Sequence, residues 1–343
     1  MIYKTFWIVL FLFELMISCT PKTEINVWYG NYQSFGKNGN PQRQINILGN
    51  IQSESDQIES YFILNGDSKK QALTLGSDLH RLAQKGDFNV EIERSLLNEG
   101  ENFVEIFASK DSEILAKRKV VFDYSSENKW PLPYQIIWKK VENIQDVVEV
   151  VDGNWELTID GIRTKFMYYD RVLAFGDSSW ENYEITTSVI FHDFVNPQKG
   201  PPTYNVSHAA IASRWPGHDK DELQPNRKWF PVGATSEFRL TNEYDSCRWR
   251  IFDGENFYKE QKDFQYRTIQ PNLKYKMKHR VETVSDSTTL YSVKLWKFET
   301  SEPKEWDLQA IEKNSNKETG SALLISHNTD VTFGDVYAEP ILK

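Results

Sequence analysis

From Ile25 to Tyr124 the chain alternates short apolar runs with turn residues. "INVWYG", "RQINILGNI", "SYFILNG", "DFNVEI", "NFVEIFASK" and "ILAKRKVVFDY" are separated by clusters of Gly, Asn, Asp and Ser. Apolar positions recurring every second residue over such short runs predict half-buried strands, and no 3.6-residue period persists that would predict a helix. From Ile136 onward the runs lengthen, as in "NYEITTSVIFHDF", "SHAAIASRW", "SEFRLTN", "KYKMKHRVET" and "GSALLISHNTDVTFGDVYAEPI". Alternation and turn signals such as Asp253-Gly254 predict a large antiparallel sandwich here. Between the two regions, "SSENKWPLPYQ" at residues 125–135 carries Pro131 and Pro133 and predicts a stiff, extended linker.

One stretch breaks the alternation. "SRWPGHDKDELQPNRKWFPVG", residues 213–233, sets Arg214, Trp215, His218, Arg227, Lys228 and Trp229 among Pro216, Gly217 and Pro225. It is a loop, because neither a helix nor a central strand tolerates that proline and glycine content. It leaves the "SHAAIASRW" strand directly. On that strand His208, Ala210, Ala212 and Arg214 are expected on one face, with Ala209, Ile211 and Trp215 on the core face. Two small residues between a histidine and an arginine predict a shallow floor with polar ends, the shape a glycan groove needs. The loop would rise beside it with Trp215 or Trp229 as a stacking platform, Trp229 if Trp215 continues the core face, and His218 near its tip, or close over the fold as a hydrophobic lid.

Composition narrows the partners. Net charge is −9, which argues against nucleic acid, since phosphate binding needs a clustered basic excess. Aromatic residues make up 14% of the chain, a content that serves core packing and also suits stacking on sugar faces. The start, MIYKTFWIVLFLFELMISCTPK, has Lys4, an apolar run from Phe6 to Phe13, and Ser18 before Cys19. It resembles a bacterial lipoprotein signal, which implies a signal peptide over 1–18, acylation of Cys19, a tether over 19–24 and anchoring in the cell envelope at the outer membrane. Only Cys247 then remains, so no internal disulfide is expected.

The spacing of strands over 25–124 fits an immunoglobulin-like sandwich. "LNEGENFVEIFASKDSEILAKRKVVFDY", residues 97–124, looks like the closing hairpin of bacterial immunoglobulin-like or fibronectin-type modules. Within a unit expected over residues 136–343, the succession "DGNWELTIDG", "DSSWENYEITTSVIF", "LKYKMKHRVETVSDSTTLYSVKLWKFE" and "GSALLISHNTDVTFGDVYAEPI", covering most of 150–340, resembles the concanavalin A-like lectin/glucanase superfamily, especially its LamG-like and glucanase-like branches. That resemblance implies a jelly roll of two packed sheets. It leaves lectins, hydrolases, lyases and adhesion modules all open, because fold does not select among them. It also implies a structural calcium, which in such families uses an aspartate near the last strand, here Asp330 or Asp335.

Over residues 136–343 the glucanase motif E-x-D-x-x-E is missing, and H-E-x-x-H, C-x-x-C and G-x-S-x-G are missing from the whole sequence. What remains is a set of Arg, His and Tyr positions. Glu237 and Arg239, Arg248 and Arg250, and Lys276, Lys278 and Arg280 form alternating rows that read either as solvated faces or as a local surface for an acidic or sulfated glycan. "SEFRL" resembles the S-E-L-R strand of jelly-roll alginate lyases, whose other motifs are absent. Three readings follow. The leading one is a lipid-anchored protein that binds polysaccharide through His208, Arg214, Trp215, His218, Trp229, Arg239 and Arg250, working with a glycan importer or degradative enzymes. The second is a polysaccharide lyase, ahead of a glycoside hydrolase, that uses His208, Arg214, His218 and His279. The third is an adhesion module without a sugar site.

Overall fold

The computed structural model describes residues 23–55, 57–78, 80–195, 206–228, 232–241, 244–252, 261–314 and 318–341. The expected signal peptide, Cys19 and Trp229 lie outside these residues. The described chain is all-β apart from three short 3-10 turns.

Eight strands build the first sandwich: β1 (Glu24–Val27), β2 (Tyr32–Phe35), β3 (Gln44–Gln52), β4 (Glu59–Leu64), β5 (Gln71–Ala72), β6 (Asp87–Glu93), β7 (Gly100–Lys110) and β8 (Glu113–Tyr124). One sheet has the order β1-β3-β6 and the other β2-β8-β7-β4-β5, with β2 parallel to β8. In β4, Ser60, Phe62 and Leu64 are buried while the residues between them are more exposed, the alternation a one-faced strand requires. The core gathers Ile45, Ile47, Phe62, Phe88, Val90, Ile106 and Phe122.

The polar positions of β3 and β6 are buried too, because their outer face docks on the second sandwich. Leu48 packs into the second core. Asn46 donates to Asn89 at 2.9 Å, and Asn89 donates to the Val151 carbonyl at 2.9 Å. Arg81 bridges Asp152 at 2.8 Å and Glu91 at 2.7 Å, and Arg94 pairs with Glu149. A buried network of this kind fixes relative placement when every member is satisfied.

The second sandwich uses β9 (Tyr134–Ile136), β10 (Glu149–Asp152), β11 (Trp155–Thr158), β12 (Gly161–Thr164), β13 (Arg171–Phe175), β14 (Tyr183–Phe194), β15 (Ser207–Trp215), β16 (Ala234–Leu240), β17 (Arg248–Phe252), β18 (Gln261–Lys262), β19 (Lys274–Ser285), β20 (Thr288–Lys297), β21 (Leu308–Lys313), β22 (Ser321–His327) and β23 (Thr329–Pro340). A seven-stranded sheet runs β10-β13-β22-β15-β16-β17-β18, and an eight-stranded sheet runs β11-β12-β23-β14-β19-β20-β21 with β9 paired to β23. Ala209, Ile211, Phe238 and Trp249 from the first face Phe191, Tyr275 and Val293 from the second across a common core.

The segment 125–135 does not run as a free spacer. Trp130 is buried in the second core, its carbonyl accepts the Trp180 indole N–H at 2.9 Å, and β9 joins the larger sheet directly after it.

Candidate functional site

The loop that breaks the alternation is neither a groove wall nor a free tip over its described residues 213–228 and 232–233. It is a clasp between the sandwiches. Arg43 donates its backbone N–H to the Pro216 carbonyl at 3.0 Å, and Gln44 donates its side chain to the His218 carbonyl at 3.2 Å. The Asn226 side chain donates to Glu91 at 2.6 Å, and the backbone of Thr74 donates to Gln224 at 3.1 Å. Trp215 and His218 meet edge to face at 5.5 Å, and both are buried. Burial holds the His218 imidazole well below the usual histidine range, with Arg81 adding to the effect.

The expected faces of β15 hold only as far as Ser213. Register with β22 shifts between Ser213 and Trp215, and Arg214 takes a left-handed φ of 57°. One extra residue in a strand flips every side chain beyond it. Arg214 therefore turns inward and reaches the facing sheet, donating to Thr283 at 2.7 Å, Thr289 at 3.2 Å and the Glu181 carbonyl at 3.1 Å. Trp215 turns outward instead of into the core. The bulge also needs a glycine opposite it: a Cβ on Gly320 would lie 2.6 Å from the Arg214 Cα. Ala210 and Ala212 are not a groove floor either. With Trp215, Val232, Leu323 and Ile325 they form a small apolar cluster fully covered on the outer face.

His279 is likewise internal. Its Nδ1 lies 2.6 Å from the Ser236 hydroxyl, across the two sheets. Burial, and then the charge of Arg214, push its pKa down to about 3. Of the four residues grouped for lyase chemistry, His208 faces outward, Arg214 and His279 face inward, and His218 sits in the clasp, so they do not converge.

Further along the same outer face the cover gives way to polar side chains. Register places His208 beside His327 on one side and Arg239 on the other, and places Glu237 beside Arg250. The two imidazoles stack in parallel with centroids 4.6 Å apart. His327 Nδ1 lies 2.6 Å from Asp170, at the head of β13, and the Tyr169 ring meets His327 edge-on at 4.6 Å. Arg239 donates to Glu237 at 2.7 Å, and Arg250 lies 3.4 Å from the same carboxylate. The side chains of Asp170, His327 and Arg239 keep 15%, 11% and 18% of their surface exposed, so the cluster reaches solvent.

The electrostatics of this group are divided. Burial lowers the His208 pKa well below the ordinary value, and His327 adds to that. Burial works to raise Asp170, but the charge and hydrogen bond of His327 leave it below the usual carboxylate range. Glu237 is raised by burial in spite of Arg239. Tyr169 is raised by the Asp170 charge and then by burial. Carboxyl groups pushed in opposite directions beside paired imidazoles can hold a proton donor and an acceptor side by side.

Sequence reasoning found His208, Arg239 and Arg250 and named Glu237 without a role. It missed His327, Asp170 and Tyr169. His327 was legible as the last residue of the "ALLISH" strand before a turn, but its partnership with His208 depends on strand order, which alternation does not reveal. The aspartates expected to hold calcium are otherwise engaged. Asp330 forms a two-pronged pair with Arg163, and Asp335 accepts the Trp138 backbone N–H at 3.0 Å. Every described tryptophan is buried or partly buried, so the exposed aromatic rings among the described residues are tyrosines and phenylalanines such as Tyr32, Phe264 and Tyr266.

Fold and site together define an all-β protein of two docked sandwiches with a polar cluster on the outer face of the second. No protein family and no curated protein matches the sequence. Solved structures give remote likenesses. The carbohydrate binding module CBM66 from Bacillus subtilis is 18% identical over 56% of this chain and 94% of its own, with a TM-score of 0.36. The VIP36 exoplasmic/lumenal domain in its Ca2+/Man2-bound form is 10% identical over 61% of this chain and 88% of its own, with a TM-score of 0.39. The Caenorhabditis elegans galectin LEC-6 is 9% identical over 47% of this chain and 85% of its own, with a TM-score of 0.28.

Proposed function

We propose that this chain is a lipid-anchored protein of the cell envelope that binds polysaccharide as part of a degradation system. In this reading Cys19 carries the lipid at the outer membrane, an immunoglobulin-like sandwich forms the first unit, and a concanavalin A-like jelly roll presents the sugar site. The observation that carries the binding assignment is the convergence of His208, His327, Asp170, Glu237 and Arg239 where the outer face opens to solvent. Such side chains recognise hydroxyls and acidic groups by directed hydrogen bonds. Asp170 is matched by His327, whereas Glu237 is shared by two arginines. Two arginines gathered on one carboxylate favour a uronate or sulfate group on the glycan.

A second reading has its own support. Tyr169, His327 and Asp170 adjoin within a hydrogen bond and a ring contact, beside an arginine pair. That is the group set a uronide lyase uses to neutralise a carboxylate, remove a proton and protonate the leaving oxygen. The purified chain, incubated with acidic and neutral polysaccharides, separates the readings. Gel retardation without new reducing ends is the expected outcome. Ultraviolet absorbance from an unsaturated uronide replaces binding with lyase chemistry, and a chain that neither retards nor cleaves any of them sinks both.

A further inference from the structure

We propose that Asp170, His208 and His327 form a binding site for one first-row divalent transition-metal ion. Each offers one ligand atom, and these atoms lie within 4.8 Å of one another, the one such grouping among the described residues. Two imidazoles and a carboxylate are a donor set suited to zinc or iron(II), and three protein ligands leave coordination positions for solvent or a sugar oxygen.

The local structure fits the ion in three respects. First, the two histidines come from β15 and β22, adjacent and in register, so rigid backbone rather than a loop sets their separation. Second, His208 is over nine-tenths buried, yet its Nδ1 has no hydrogen-bond partner. A buried nitrogen without a partner is costly unless something else engages the ring. Third, small adjustments suffice. The His327 and Asp170 atoms now touch at 2.6 Å. Ligands at about 2.0–2.1 Å on a tetrahedral ion sit roughly 3.3 Å apart, so that contact opens by less than about 1 Å while the wider spacings close. Two cations act on the ligands: Arg239, on His208, is held by Glu237 at 2.7 Å, and Arg171, on Asp170, donates to the Tyr169 and Arg81 carbonyls at 2.8 Å. Around such an ion, Tyr169 against His327 would serve as an outer support that orients the ring.

The test is isothermal titration of the chelator-treated full chain with Zn2+, and visible spectroscopy with Co2+, on wild type, His208→Ala, Asp170→Asn and His192→Ala. His192 lies elsewhere, bonded to Asn272 and Thr332, and controls for adventitious histidine binding. The expected result is one equivalent of zinc and ligand-field bands from cobalt in wild type and His192→Ala. Asp170→Asn, which preserves shape, should weaken affinity by more than about 100-fold, beyond the loss of an outer partner alone. Wild type that takes up no zinc, or variants that bind it equally, overturn the site and leave Asp170 and His327 as a hydrogen-bonded pair. Glycan retardation run in parallel keeps the two proposals apart: glycan bound without zinc uptake defeats the metal alone, and zinc uptake without glycan defeats the binding reading alone.

Discussion

The second sandwich contains two polar clusters that each combine histidine with arginine, and they differ in what surrounds them. Between the sheets, Arg214, His279, Tyr183 and Ser236 are fully enclosed. The Tyr183 hydroxyl accepts the Arg214 backbone N–H at 2.9 Å, and His279 contacts Ser236 at 2.6 Å. On the outer face, Asp170, His208, His327 and Arg239 include partly exposed members. An enclosed cluster stabilises one arrangement because its bonds have no alternative in water. A cluster that reaches solvent can exchange those bonds for a ligand's. The proposed binding function therefore draws on the outer group, whereas the inner group holds the bulge at Arg214.

The largest expected contrast is in stability. Arg214→Ala strips hydrogen bonds from the Glu181 carbonyl and two threonine hydroxyls and opens a cavity at a fully buried side chain, a loss of about 3 kcal/mol or more. His327→Ala, at the solvent edge, should cost about 1 kcal/mol. Urea unfolding of the two variants measures the difference. Equal losses would erase the distinction between the clusters.

Next comes pH. His279 has a folded pKa of about 3 against 6.5 unfolded. Below pH 6.5 the unfolded chain binds a proton that the folded chain refuses. The stability this residue contributes is therefore complete above 6.5 and falls toward pH 3, by about 1.4 kcal/mol per unit. Asp152, raised to about 6 by burial against the opposing charge of Arg81, acts in the reverse sense: its contribution is present at low pH and lost as pH rises through about 6. Because Asp152 acts equally in wild type and His279→Gln, comparing their unfolding free energies from pH 5 to 7 isolates the histidine. The wild type should show the steeper rise with pH, by about one proton at pH 5 and shrinking to about a quarter of a proton at pH 7, and parallel curves would remove His279 as the cause.

These contrasts mark how far the sequence could be read. The all-β class followed from alternation, and so did the inward positions Ala209 and Ile211, because period two survives wherever a strand is regular. It failed at Arg214, where one left-handed residue exchanged the faces of Arg214 and Trp215. Nothing in "ASRWPG" announces the bulge without knowledge of Gly320 opposite. The sequence also misled at Gln44 and Asn46, polar alternates that face a second sandwich instead of water. The outer cluster was half legible. His208 and Arg239 were visible on their own strands, whereas Asp170 and His327 arrive through sheet order, with β13 and β22 beside β15.

Ligand binding sharpens the comparison at smaller energies. Arg239→Ala should weaken retardation by an acidic glycan about tenfold, or roughly 1.4 kcal/mol, while Glu237 keeps Arg250 as a partner at 3.4 Å and the fold survives. Affinity electrophoresis with a circular-dichroism melt reads both effects. Undiminished retardation would move the glycan off this face.

The smallest effect is expected on the opposite sheet, where Lys276, Lys278 and Arg280 read from the sequence as a basic row. Lys278 lies 3.0 Å from Glu184 and 2.9 Å from Glu302, Arg280 lies 2.6 Å from Glu184, and Lys294 shares Glu302 at 2.7 Å. Burial would lower the Lys278 pKa, but Glu302 and Glu184 together raise it, so the ammonium is bound into the network rather than offered to a ligand. Lys278→Met keeps the stem that packs along the sheet and removes the charge. Its cost should be about 1 kcal/mol or less, shrinking further in salt, because Glu302 is 41% exposed and its pairs are screened. Acidic-glycan retardation should not change at all. A marked loss in Lys278→Met would make this sheet the sugar surface and turn the comparison of the two faces around.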